Sequence, residues 1–253
     1  MRIYNITFSP TGGTEQVAKL LLEALGEPYE SISLLNAVLD YNAYSFTKND
    51  VCLIAVPSYG GRVPAPAVRR VLSLHGHGAR CILLCVYGNR AYEDTLLELK
   101  NAAKLAGFVP VAAVAANAQH SLMPQFGANR PDANDMADLK AYAAKLQELL
   151  SSGRMDEVHV PGNVPYKDFG GVPMKPQLIG ECSGCGLCVR QCPVGAIDEA
   201  DPAKLDADKC ITCMRCVKLC PKGARGMDEA VMAEKAKLMA PLFAGRKPNE
   251  LFL

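Results

Sequence analysis

Residues 2–26 read RIYNITF SPTGGT EQVAKLLLEALG, and this passage decides the fold of the first half of the chain. Residues 2–8 alternate and end at a turn, as a strand does. In the segment that follows, Val17, Leu20, Leu21, Ala24 and Leu25 fall on one helical face, and Gly26 stops the helix. A strand, a Gly-rich loop and a helix together present free backbone N–H groups and the positive end of a helix to an anion. A nucleoside-triphosphate loop would need G-x-x-x-x-G-K-[ST], and a dinucleotide fingerprint G-x-G-x-x-G; the loop has neither. It offers hydroxyls instead: Ser9, Thr11 and Thr14, interleaved with Pro10, Gly12 and Gly13. These suit a terminal monoester phosphate. The plain alternative is an ordinary strand-to-helix turn with Thr14 as its N-cap.

Working outward, the pattern predicts further strands near 29–34, 50–56, 80–86 and 109–115, with helices over 65–74, 92–106 and 132–150. The runs DVCLIAV and RCILLCV are continuously apolar, as central parallel strands are. Five strands with helical crossovers predict a doubly wound α/β sheet whose ligand binds at the carboxyl ends of the strands. Three loops reach that edge: SPTGGT, then PSYGGRVP at 57–64 and YGNRAY at 87–92.

The pattern S-x-T-G-x-T-E, formed by Ser9, Thr11, Gly12, Thr14 and Glu15, resembles the FMN phosphate loop of flavodoxins. The resemblance implies a five-stranded parallel sheet of order 2-1-3-4-5. It implies FMN, with its phosphate on Ser9, Thr11, Gly12, Gly13 and Thr14. Pro57, Ser58, Tyr59, Gly60, Gly61, Tyr87, Gly88, Asn89 and Tyr92 would then border the flavin ring. The chain has no Trp, so the Trp stacking partner of many flavodoxins is missing. Arg62 and Arg90 are either solvated loop charges or cations beside an anionic reduced flavin or an acidic partner. His120 either caps a strand end or donates protons at the same edge.

Eight of the 11 Cys lie within residues 182–220, in two runs of one spacing. The first is Cys182-x-x-Cys185-x-x-Cys188-x-x-x-Cys192-Pro193, and the second is Cys210-x-x-Cys213-x-x-Cys216-x-x-x-Cys220-Pro221. Three thiolates three positions apart can wrap one cluster, while the fourth points away. The segment resembles the two-cluster bacterial ferredoxins, in which the fourth Cys of each run serves the other cluster. That implies a small α+β domain with two 4Fe-4S clusters. Cys182, Cys185, Cys188 and Cys220 would hold one, and Cys210, Cys213, Cys216 and Cys192 the other. Structural zinc is the alternative for C-x-x-C pairs. Cys52, Cys81 and Cys85 sit in apolar runs and read as buried hydrophobes.

These readings divide the chain into a flavodoxin-like domain (1–155), a Pro/Gly-rich connector (156–176), a cluster domain (177–226) and a tail (227–253), helical to about 239. Tyr166 and Phe169 suggest that the connector lies on the first domain. A short hairpin is expected over 196–209. Lys and Arg number 27 against 26 Asp and Glu, which leaves no basic face for nucleic acid. The start lacks a signal-peptide core and no run is long enough for a membrane span. The expectation is a cytoplasmic protein of an anaerobe.

The combined resemblance is to fused flavodoxin–ferredoxin proteins, which implies electron transfer among two 4Fe-4S clusters, FMN and redox partner proteins. Two other readings stay open: an FMN-dependent reductase of a small organic acceptor, and a ferredoxin with a flavin-free docking domain.

Overall fold

The computed structural model describes residues 2–253. In chain order the first half consists of β1 (Ile3–Thr7), α1 (Gly13–Leu25), β2 (Tyr29–Ser33), β3 (Val51–Pro57), α2 (Ala65–Leu72), β4 (Arg80–Tyr87), α3 (Thr95–Leu105), β5 (Val109–Asn117) and α4 (Ala133–Ser151). The Cys-rich half adds β6 (Gln177–Leu178), α5 (Leu187–Arg190), α6 (Arg215–Lys218), β7 (Arg225–Gly226), α7 (Glu229–Met239) and β8 (Glu250–Phe252).

Strand residues alternate between two cores because successive side chains point to opposite faces. Val51, Leu53 and Ala55 of β3 pack with Val17, Leu21, Leu139 and Leu146 of α1 and α4. Cys52, Ile54 and Val56 pack with Ala67, Val71, Leu96 and Leu99 of α2 and α3. Helices therefore cover both faces of a doubly wound sheet. Cys52, Cys81 and Cys85 all fall in the second core, and burial pushes their thiols up.

The five expected strands pair in parallel in the order 2-1-3-4-5, but the sheet has a sixth member. β8 adds antiparallel to β5, with Ala113 opposite Phe252 and Ala115 opposite Glu250. Its three residues are too short for any periodic signal. Its placement has a physical reason: VPVAAVAAN is a long strand of small apolar residues, and left as a bare edge it would invite another chain to pair with it. Connector residues Val158 and Val160, both buried, cover the start of that edge, where the Val158 N–H donates to the Pro110 carbonyl at 2.8 Å.

A buried polar network fastens the tail. Arg130 and Asp135 pair with 5% and 1% of their side chains exposed. Arg246 and the amide of Asn249 also donate to Asp135, each at 2.9 Å. The Asn249 side-chain oxygen accepts from the Asn117 N–H at the end of β5, and Arg130 reaches the Lys247 carbonyl. Removing one partner leaves the other charge buried alone, which typically costs about 3–5 kcal/mol. We therefore expect Asp135→Asn to lower unfolding stability by that order. Amide exchange should show β8 opening before the five parallel strands; exchange that leaves β8 as protected as β1 would contradict this account.

Candidate flavin and cluster sites

Helix α1 begins at Gly13 with Gly12 as its N-cap, at φ +96°, a residue with no side chain to cap the helix. Thr14 is therefore not the cap that an ordinary turn would use. The Ser9 hydroxyl accepts the Glu15 N–H at 2.9 Å, so a loop side chain caps the first turn and ties the loop to the helix. The loop brings no cation of its own, yet one arrives from the Cys-rich half: Arg215 donates to the Pro10 carbonyl at 3.1 Å. Arg215 and Lys218 line a hollow together with Thr11, Gly12 and Glu15.

Next to this loop, at the carboxyl ends of β1, β3, β4 and β5, lies an open cleft. Ser9, Thr11, Gly13, Thr14, Pro57, Ser58, Tyr59, Gly60, Tyr87 and Gly88 line it. Two glycines are required by close approach: a Cβ on Gly60 would lie 2.3 Å from the Phe169 ring, and one on Gly88 would lie 2.5 Å from the His120 ring.

Four residues expected at the flavin do not line this cleft. Gly12 faces the Arg215 hollow. Gly61 abuts Glu93. Asn89 is buried and donates to the carbonyls of Phe243 and Gly245. Tyr92 donates to Glu250 at 2.7 Å. The returning tail claims the last two, and even Tyr87, though on the wall, gives its hydroxyl to the Pro248 carbonyl.

The cleft also has walls that the sequence reading does not assign to it. Phe169 and Val172 come from the connector, and Ile211 and Thr212 from the second Cys run. Phe169 thus supplies an aromatic to the cleft wall. The connector's aromatics are its only signal. The connector is held on α3 by buried Asp94, which accepts the Asn163 and Lys167 N–H groups at 2.8 and 2.6 Å. Burial works against the Asp94 carboxylate, but those donors hold it below the usual range. Arg62, read as a loose loop charge or a flavin cation, instead forks onto Glu98 and stacks on Tyr166 at 4.9 Å. Arg90 pairs with Glu93.

His120 lines the cleft, and its Nδ1 accepts the N–H groups of Leu122 and Met123 at 3.2 and 3.0 Å. The ring proton therefore sits on Nε2. Burial, with a smaller push from Arg90, lowers the imidazolium to about 4.

The eight later thiols fall into two sets. One small cavity is lined by Cys182, Cys185, Cys188 and Cys220. Another is lined by Cys192, Cys210, Cys213 and Cys216. The first three Cys of each run therefore meet the fourth of the other. Among the described residues no three His, Cys, Asp or Glu converge on a point that could hold a single ion. Thiols gathered four to a cavity suit an iron–sulfur cluster. Backbone N–H groups of Ala196 and Ala224 donate to Cys192 Sγ and Cys220 Sγ at 3.3 and 3.2 Å, a matched pair. Ile197 bridges Leu205 between the runs, where a hairpin is expected. No helix among the described residues is long and apolar enough to cross a membrane.

Residues 181–224 match the family of 4Fe-4S dicluster domains. Among solved structures the chain is similar to a flavodoxin from the domain Archaea, at 13% identity over 60% of this chain and 99% of that one, with a TM-score of 0.43. It is also similar to two-electron reduced Megasphaera elsdenii flavodoxin, at 17% over 56% and 98% with 0.38. A third is an FMN-dependent NADH-azoreductase from Bacillus anthracis in complex with FMN, at 14% over 58% and 100% with 0.39. No curated protein matches the chain. The strand order and the dicluster match define the class: a flavodoxin-like α/β sheet fused to a ferredoxin-type cluster segment.

His120 gives a pH prediction. Its folded value lies below the unfolded value of 6.5, so between about 4 and 6.5 the unfolded chain holds the extra proton and stability rises with pH. In the wild type His120 adds to the loss of stability on acidification through that window. His120→Gln should flatten this part of the curve in denaturant titrations at pH 5 and 7; an unchanged slope would place the imidazole in solvent.

Proposed function

We propose that the chain relays electrons between two 4Fe-4S clusters and FMN, and that its physiological donors and acceptors are redox proteins. The observation that carries this reading is a shared wall: Ile211 lines both the cleft at the sheet edge and the cavity of Cys192, Cys210, Cys213 and Cys216. Bound clusters pass single electrons and FMN takes one or two, so the combination converts between the two modes.

The chain's own residues supply binding, spacing and order. Ser9, Thr11, Gly13, Thr14 and the start of α1 would grip a phosphate, with Arg215 and Lys218 adding positive charge nearby. Tyr59, Gly60, Gly88 and Phe169 would border a flat ring and exclude water from it. The later-run cavity adjoins the cleft and contains buried Cys213, whereas Cys182 and Cys185 of the other set are exposed. A partner protein would therefore meet the earlier-run set, and electrons would pass through the later-run set to the cleft.

A reductase of a small acceptor rests on one observation, the Nε2–H of neutral His120 in the cleft wall. Steady turnover of a soluble acceptor would favour it, and stoichiometric electron uptake would favour the relay.

Anaerobically prepared protein should contain about eight iron, about eight sulfide and one FMN per chain. Valine is strained at φ +96°, so Gly12→Val should lower flavin content at least about tenfold and leave iron unchanged. Cys192→Ser should perturb the cluster of Cys210, Cys213 and Cys216 in EPR spectra; damage confined to the other cluster would refute the crossed pairing.

A further inference from the structure

The two Cys runs place different residues between their second and third thiols. Leu187 stands there in the first run and Arg215 in the second. Leu187 lines the cavity of its own run. Arg215 lines the later-run cavity too, but its guanidinium crosses to the sheet. Nη1 donates to the Pro10 carbonyl at 3.1 Å, Nε to the Gln191 carbonyl at 3.0 Å and Nη2 to the Gln191 side-chain oxygen. All three nitrogens are engaged, and both segments behind the fork adjoin thiols of one set. Arg215 lies between Cys213 and Cys216, and Gln191 precedes Cys192.

What the fork holds is part of the Gly-rich loop. A trans peptide is planar, with its C=O and N–H opposed. Drawing the Pro10 carbonyl towards Arg215 therefore turns the Thr11 N–H to the opposite side. Among the described residues nothing accepts that N–H, so it is one of the donors left for an anion on residues 9–14. The anchors on the other side do not support themselves. Thr212 and Met214, which flank Cys213, have φ of +52° and +62°, a region that most side chains avoid. α6 is four residues long, too short to be stable alone. Ligation of Cys192, Cys213 and Cys216 by one cluster would fix both anchors of the fork at once.

We propose that Arg215 is a positioning residue that couples the two cofactor sites: it shapes residues 9–14 for a phosphate while the later-run thiols are ligated, so that flavin retention depends on that cluster. The inference rests on the relay reading above and adds a linkage to it. If the cluster tightens FMN binding by some factor, FMN tightens cluster retention by the same factor.

The test is anaerobic titration of the full, cluster-loaded chain, freed of flavin, with FMN and with riboflavin, which lacks the phosphate. Flavin fluorescence reports binding, and iron is measured on each sample. Arg215→Leu should weaken FMN at least about tenfold, the scale of a hydrogen bond to a charged group, and leave riboflavin largely unmoved. Arg215→Lys, which keeps the charge but lacks the fork, should stay nearer to Arg215→Leu than to the wild type. Gln191→Ala removes one anchor without touching the second Cys run; it should weaken FMN in the same sense, and it reads the clamp should Arg215→Leu fail to load iron. Chelating iron from the wild type should weaken FMN binding, and saturating FMN should slow the loss of iron. Unmoved FMN affinity in both Arg215→Leu and Gln191→Ala, equal losses for riboflavin and FMN, full recovery in Arg215→Lys, or FMN binding indifferent to iron would each overturn the coupling. A cluster-loaded wild type that binds no FMN would instead overturn the relay reading itself.

Discussion

Little material separates the sheet edge from the Cys loops, and in the relay proposed above that closeness would matter because electron tunnelling weakens steeply with distance. Ile211 and Thr212 stand at that boundary, in the wall of the cleft, and Ile211 also touches the cavity of the neighbouring thiols. The boundary is held by ordinary polar chemistry. Lys175 donates to the Cys210 carbonyl at 2.7 Å, the Thr212 hydroxyl to the Met174 carbonyl at 3.2 Å, and Arg70 to the carbonyls of Leu34 and Pro193. Asp94 holds the connector on α3, so the segment that carries Phe169 is fixed as well. A mobile tether would let the distance vary, and a fixed one sets it.

The tail serves the same end from the other side. Phe243 stacks on Phe126 at 4.3 Å and meets the edge of the His120 ring at 5.3 Å. The loop after β5 is thereby pinned, and with it the imidazole in the cleft wall. β8 then closes the sheet edge. The stretch after Gly226 therefore braces the rim of the cleft and protects the sheet that forms its floor.

Much of this is legible in the sequence because its signals are local. The alternating and continuously apolar runs mark the five parallel strands within one or two residues, and the run of Cys spacings marks the cluster segment. What escapes is long-range. β8 is three residues that become a strand only because β5 offers an edge. Asn89 and Tyr92 sit in a loop that reaches the carboxyl edge of the sheet, but the tail arrives from more than 150 positions away and takes their polar groups. Phe169 and Ile211 lie far along the chain from the cleft, and no periodicity records that they return to it. Arg215 is equally hidden: residues 9–14 carry no cation, and one arrives only because a segment some 200 residues later folds against Pro10.

The departures from the internal repeat argue how one half of the cluster segment came to face the sheet. In the first run the left-handed positions are Gly184 and Gly186, at φ +68° and +67°; in the second the equivalents are Thr212 and Met214, at +52° and +62°. A side chain in that region costs roughly 1–2 kcal/mol relative to the right-handed form, so the second run accepts strain that the first avoids. Each replacement has a contact to account for it. Thr212 lines the cleft and ties the connector, Met214 is buried in the lining of the later-run cavity, and Arg215, where the first run has Leu187, reaches the Pro10 carbonyl. The first run keeps its glycines and its exposed thiols. Within the repeat, the side chains in the left-handed region thus fall in the run that adjoins the sheet, and the plainer run is the one whose first two thiols are exposed.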